Sequence, residues 1–210
     1  AVLTADDLKA AGLAESDFAE GSLEILKNKG ELYGLPFDVA TMLTYYNEDQ
    51  LTAAGATIPK VGWTFADFEA AAKAATKDGK YGFGIGMGGF QWQALPIAKG
   101  GVQPVTQDGQ LQLTNADFVA AAEWYAGLVT EQKVAAPVAS ASDTGWGENQ
   151  FTGENAAMAV DGTWNAVGYL NNDAGFKAGL VPLPSGDKGN LSLILGSGYG
   201  IAKNCDNKEA

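Results

Sequence analysis

Residues 151–164, FTGENAAMAVDGTW, combine residue types and spacings with clear chemical meaning. Phe151 closes a short helix, Gly153 turns the chain, and residues 156–160 predict a buried strand. A tight Asp161-Gly162 turn then delivers Trp164 into the first turn of a new helix. An aromatic ring in that place has two readings: a surface ring that stacks on a flat apolar face, with the unpaired backbone N–H groups beside it holding polar atoms, or a core tryptophan that locks helix to strand. Sugars offer that combination of apolar face and hydroxyl edge. Asp161 has two readings, a carboxylate that accepts a sugar hydroxyl or a cap on the helix it precedes.

Two further aromatics sit among glycines. Trp146, in Thr144-Gly145-Trp146-Gly147, occupies a small, polar loop, where a tryptophan points to ligand contact rather than core packing. Tyr199, in Gly196-Ser197-Gly198-Tyr199-Gly200, either lines a cleft or belongs to a tightly packed strand. The run Gly84-Ile85-Gly86-Met87-Gly88-Gly89 satisfies G-x-G-x-x-G after a strand and before a helix. A dinucleotide reading fails there, because Phe90 and Trp92 would crowd a pyrophosphate and Asp108 lies in a hairpin turn.

Composition removes whole classes of chemistry. The 210 residues carry a net charge of −12, no histidine, and thirteen basic residues, all of them lysine. Nucleic acid is excluded as a partner, since phosphate neutralisation needs clustered Lys and Arg. Charged phosphate and carboxylate ligands are disfavoured without an arginine fork, and a neutral ligand fits better. Triad, Cys-His and most zinc chemistry needs histidine. Those chemistries are therefore excluded within this chain, and no metal and no cofactor are expected. Cys205 is the only cysteine, so no internal disulfide forms, and it reads as an incidental thiol near a strand end.

The elements that position these residues follow from periodicity and caps. Thr4 with Asp7 predicts a helix over residues 5–12, and Thr64 with Asp67 repeats the capping pattern for a helix whose apolar face is Phe65, Phe68, Ala71, Ala72 and Ala75. Residues 39–46 and 81–85 read as strands, and residues 92–99 as a short helix. Asp108-Gly109 marks a hairpin between residues 102–106 and 110–113. Asn115 caps a helix with Phe118, Ala121, Ala122, Tyr125 and Leu128 inward, and Trp124 reads as core. Helices alternating with short strands argue an α/β layered domain.

The ordered set of motifs resembles extracellular solute-binding proteins of ABC sugar importers, the maltose-binding-protein-like family. The residues carrying this are Gly30, Tyr33 and Gly34-Leu35-Pro36; Tyr46-Asn47 with Ala54-Gly55 and Pro59; and Trp63, Phe65 and Phe68. They continue with Phe151, Gly153, Ala156-Ala157-Met158, Gly162 and Trp164, then Val181-Pro182-Leu183-Pro184 and residues 196–202. Gly62 departs mildly from the Thr or Ser that the family places before its first tryptophan.

The resemblance implies a periplasmic-binding-protein-like type II fold, mostly the second lobe with incomplete parts of the first. Residues 1–36 would end the first lobe, 37–181 would form the core of the second, and 182–210 would return to the first. Family members run to about twice this length, so the resemblance implies a fragment with both ends cut. It places Trp164 on the stacking aromatic of the second lobe, Phe90, Gln91 and Trp92 on a loop that presents an aromatic and a polar group to the sugar, and Asp38 on a hinge carboxylate. Carboxylates suit that task because they accept charge-assisted bonds from hydroxyls.

The function so implied is an extracytoplasmic, non-catalytic receptor, a cell-surface lipoprotein or a free periplasmic protein. It would close on a sugar or oligosaccharide in an interlobe cleft, act as a monomer, and deliver to the membrane permease subunits of an importer. Two other classes stand beside it. One is a glycan-active enzyme with paired carboxylates drawn from Asp38, Asp143, Glu154 and Asp161. The other is a stand-alone carbohydrate-binding module.

Overall fold

A computed structural model describes residues 1–106, 108–137 and 147–206. In chain order the helices are α1 (Ala5–Ala10), α2 (Glu48–Ala53), α3 (Phe65–Ala75), α4 (Gln91–Gly100), α5 (Ala116–Thr130), α6 (Glu148–Thr152) and α7 (Ala166–Leu170). The strands are β1 (Lys27–Asn28), β2 (Glu31–Leu32), β3 (Leu35–Pro36), β4 (Ala40–Asn47), β5 (Met158–Gly162), β6 (Ala178–Pro182), β7 (Ile194–Leu195) and β8 (Gly198–Tyr199). The chain folds as two units, residues 1–41 with 194–210 and residues 42–193.

The smaller unit is built from short antiparallel pairs, β1 with β2, β3 with β8, and the first two residues of β4 with β7. Its core is Leu8, Leu23 and Leu32, with Leu3, Leu13, Phe18, Leu26 and Leu35 packed against them. α1 starts as its sequence dictates. The Thr4 hydroxyl accepts from the Asp7 amide, and the Asp7 carboxylate accepts from the Thr4 amide and hydroxyl.

The larger unit is layered. β4 is the centre of an antiparallel sheet ordered β5-β4-β6, with Leu43 opposite Asp161 on one side and Pro182 on the other. β4 buries Met42, Thr44, Tyr45 and Asn47, so both of its faces are covered, and β5 is buried along its whole length. α3 buries the predicted face, Phe65, Phe68, Ala71, Ala72 and Ala75, and the Thr64–Asp67 capping box opens it. α5 starts at Asn115, whose side chain accepts from the amides of Asp117 and Phe118. Trp124 lies half-buried among Phe65 and Phe68, with its indole N–H donated to Glu69.

Three predicted elements differ. Residues 81–85 form no continuous strand. They run parallel beside β5 through single bridges, Tyr81 to Ala156 and Gly84 to Ala159. The glycines explain the departure, since a Cβ on Gly82 would lie 2.0 Å from the Ala72 carbonyl oxygen, so the segment is pressed onto α3. The 102–113 hairpin is reduced to one bridge, Val105 to Leu111. Asp161-Gly162 is not a turn. Both residues complete β5, and the chain turns in the 3-10 segment Thr163–Asn165 that follows.

Candidate functional site

β5 explains where Trp164 ends up. Small and β-branched residues let the strand pass through the interior, and the apolar cluster of Tyr45, Phe151, Ala159, Tyr169 and Phe176 closes around it. At its end the chain cannot continue inward. Gly162 is extended, with φ −83° and ψ 164°, and the 3-10 turn lifts Trp164 out to the surface. The indole is 45% exposed. It lies over Gly162, where a Cβ would come within 2.2 Å of its Cη2 and Cζ3 atoms.

Asp161 is turned the other way. It is fully buried, and its carboxylate accepts from the Gly162 amide at 2.6 Å, the Asn165 side-chain amide at 2.8 Å and the Tyr169 hydroxyl at 2.6 Å. A carboxylate so occupied is not presented to a sugar, which corrects the hydroxyl-accepting reading and removes Asp161 from any carboxylate pair. The Tyr45 hydroxyl donates to the Gly162 carbonyl at 2.8 Å. Burial first, and then the Asp161 carboxylate, hold both phenols far above their ordinary ionisation range.

The loop before α4 brings one of its three candidates to Trp164. Phe90 lies edge-on to the indole, with ring centroids 6.4 Å apart and planes at 78°. Trp92 instead packs on Phe118, centroids 6.1 Å apart, in the seam between α4 and α5, and is half-buried there. Gln91 is also a correction, being 3% exposed with both side-chain amide atoms lacking a hydrogen-bond partner among the described residues. Its reason is helical spacing: Gln91 lies one turn before Ala94 and Leu95, in a helix that is buried from Ala94 through Ala98.

The smaller unit carries its own exposed aromatic pair. Phe37 is 65% and Tyr199 70% exposed, with ring centroids 5.4 Å apart. Leu35 and Tyr199 pair across β3 and β8, so strand register sets this meeting. Asp38 joins them, its carboxylate accepting from the Ser197 amide at 2.7 Å. Phe37 was missed in the sequence reading. Its signal was an aromatic placed directly after Leu35-Pro36, with no apolar periodicity to bury it. Trp146 and Asp143 lie outside the described residues.

A separate hollow of about 640 Å³ is lined by Phe65, Lys99, Asp117, Ser185 and Lys188, among others. It sits at the C-terminal end of α4, the opposite end from Phe90, and is not part of the aromatic site. Among the described residues no acidic, Cys or His cluster is placed to hold a metal ion, and no helix is long and apolar enough to cross a membrane.

Comparison with known proteins identifies the family and the fold. The family described as bacterial extracellular solute-binding protein matches residues 2–210. The lactose-binding protein of Rhizobium radiobacter is 29% identical over 154 residues, 71% of this chain and 35% of the relative. An ABC substrate-binding protein from Listeria monocytogenes, solved with cycloalternan, superposes with a TM-score of 0.83 at 25% identity, over 100% of this chain and 53% of that one. UgpB from Mycobacterium tuberculosis, solved with glycerophosphocholine, gives 0.80 at 25% identity, over 99% and 52%. The chain thus spans about a third of the curated relative and about half of each solved structure.

Proposed function

The chain belongs to the bacterial extracellular solute-binding protein family, with part of its type II periplasmic-binding fold, and from that premise we propose that it binds a sugar or oligosaccharide for an ABC importer. The observation that carries this reading is the Trp164 indole, 45% exposed at the mouth of a 3-10 turn and flanked edge-on by Phe90. A pyranose ring stacks on such a surface through its axial C–H face, and its hydroxyls remain at the ring edge for polar groups.

The role is binding without catalysis. Delivery is to membrane permease subunits, by a monomer held outside the cytoplasm, either free or lipid-anchored. Neutral sugars fit better than phosphodiesters or other anions, because this chain supplies no arginine and a net charge of −12. Phe37, Asp38 and Tyr199 give the smaller unit a second stacking surface with a carboxylate acceptor beside it. Micromolar affinity corresponds to about −8 kcal/mol, within reach of a ring stacked on Trp164 and several satisfied hydroxyls.

Thermal-shift screening of the full-length protein tests the reading, with a panel of lactose, maltose, longer oligosaccharides, glycerophosphocholine and amino acids. Neutral sugars raise the melting temperature, since ligand at about a hundred times its dissociation constant adds about 2.7 kcal/mol. A panel in which only the charged solutes stabilise the protein overturns it.

A further inference from the structure

The end of β5 holds more polar machinery than a strand terminus needs. Gly162 is gripped on both sides of its α-carbon, its amide by the Asp161 carboxylate and its carbonyl by the Tyr45 hydroxyl. Asp161 is in turn gripped by Tyr169 from α7 and Asn165 from the 3-10 turn. The two tyrosine rings lean together, centroids 4.4 Å apart, and Tyr169 packs edge-on to Phe151 at 5.3 Å. All of this is interior: Tyr45 and Asp161 are 0% exposed and Tyr169 is 1%.

Burying a carboxylate is costly unless hydrogen bonds replace its water, and an apolar residue would close the strand more cheaply. Full satisfaction by three donors rigidifies the backbone it touches. The atom made rigid is the Gly162 α-carbon, and the Trp164 indole rests on it.

We propose that Tyr169, acting through the Asp161 carboxylate, and Tyr45, acting through the Gly162 carbonyl, are positioning residues that set the orientation of the Trp164 indole. The inference rests on Trp164 being the stacking residue, and it deepens that reading by explaining how an exposed ring keeps one orientation before a sugar arrives. A preorganised ring loses less freedom on binding, which favours affinity without adding a contact.

The test uses full-length protein labelled with 5-fluorotryptophan, with the Trp164 resonance assigned through Trp164→Phe. Tyr169→Phe keeps the buried ring and removes only the hydroxyl. The Trp164 fluorine resonance shifts or broadens in Tyr169→Phe and in Tyr45→Phe, while the Trp63 and Trp124 resonances, which report on the α3 region, stay in place. An unmoved Trp164 resonance in both variants overturns the proposal. So does a disturbance of all three resonances alike, which signals general loosening.

Lactose titrations separate the two layers of the argument. Tyr169→Phe weakens lactose binding about three- to tenfold in the wild-type background and less than about twofold in Trp164→Ala, because residues acting through one group are not additive. Equal losses in both backgrounds contradict the positioning role. Wild-type lactose affinity in Trp164→Ala defeats the stacking reading instead, and leaves the resonance result to judge the clamp.

Discussion

The indole of Trp164 covers the α-carbon of Gly162 so closely that a methyl group there would sit 2.2 Å from ring carbon atoms. The backbone of Gly162 is ordinary extended chain, φ −83° and ψ 164°, open to any residue. Glycine is therefore required at this position by the ring above it and not by its torsion angles.

Gly162→Ala separates those two causes. Because the backbone accepts alanine, folding stability changes by no more than about 1 kcal/mol, the small gain from a stiffer unfolded chain offsetting the displaced ring. Sugar affinity falls about tenfold or more, since the ring can no longer lie where it does. Chemical denaturation and calorimetry on the same preparation read both quantities. A large stability loss with affinity intact would assign Gly162 a purely structural role.

Phe37 and Tyr199 are expected to matter for binding alone. Both rings are mostly in solvent, so Phe37→Ala and Tyr199→Ala each change stability by about 0.5 kcal/mol or less. Each weakens sugar binding in the full-length protein severalfold. Calorimetric affinities equal to wild type in both variants show that the smaller unit's aromatic pair makes no contact with the sugar.

At alkaline pH the buried tyrosines set the stability. Tyr45, Tyr125 and Tyr169 are all pushed above their ordinary value of 10.0, burial being the first cause in each. The unfolded chain loses these protons first, so their stabilising contribution is complete below pH 10 and declines as pH rises past it. Each tyrosine contributes up to about 1.4 kcal/mol per pH unit in that range. Denaturation midpoints fall with pH above about pH 10, and fall less steeply in Tyr169→Phe. The same slope in both proteins contradicts the assignment.

The α3 capping box supplies a control away from the site. Thr64→Ala lowers stability by about 1 kcal/mol and leaves sugar affinity unchanged. Hydrogen bonds from the Thr64 hydroxyl and then its amide hold Asp67 below its ordinary value of 3.8. The cap's electrostatic share is therefore present above pH 3.8 and lost as pH falls below it. Acid denaturation of Thr64→Ala shows a smaller loss over that range than wild type; an identical acid limb contradicts the cap.

Features governed by neighbours three or four residues apart were legible in the sequence. Both Thr–Asp capping boxes, the Asn115 cap and the inward face of α3 formed as the spacing dictates. The outward placement of Trp164 was only half legible, since an aromatic in the first turn after a buried strand reads either as a surface ring or as a core lock between helix and strand. The local geometry was misread by the length of the strand, which keeps Asp161 and Gly162 in register with Leu43 and Met42.

Side-chain direction at the site was less legible. Asp161 faces inward because Tyr169 and Asn165 donate to it, while Tyr45, 117 residues before Gly162, pins the neighbouring carbonyl. No local pattern announces a partner at that separation. Gln91 is different, because Ala94, Leu95 and Ala98 already marked its side of α4 as the core face. That spacing outweighs its position after a glycine loop. Phe90, one residue earlier, is the ring that reaches Trp164.

The account stands or falls on the Trp164 indole as a shelf for a pyranose, and calorimetric titration of full-length wild type and Trp164→Ala with the sugar that stabilises the protein most tests it directly. The account predicts a loss of about ten- to a hundredfold in affinity, about 1.4 to 2.8 kcal/mol, with folding little changed because nearly half of the ring is already in solvent. Unaltered affinity in a folded Trp164→Ala protein contradicts it.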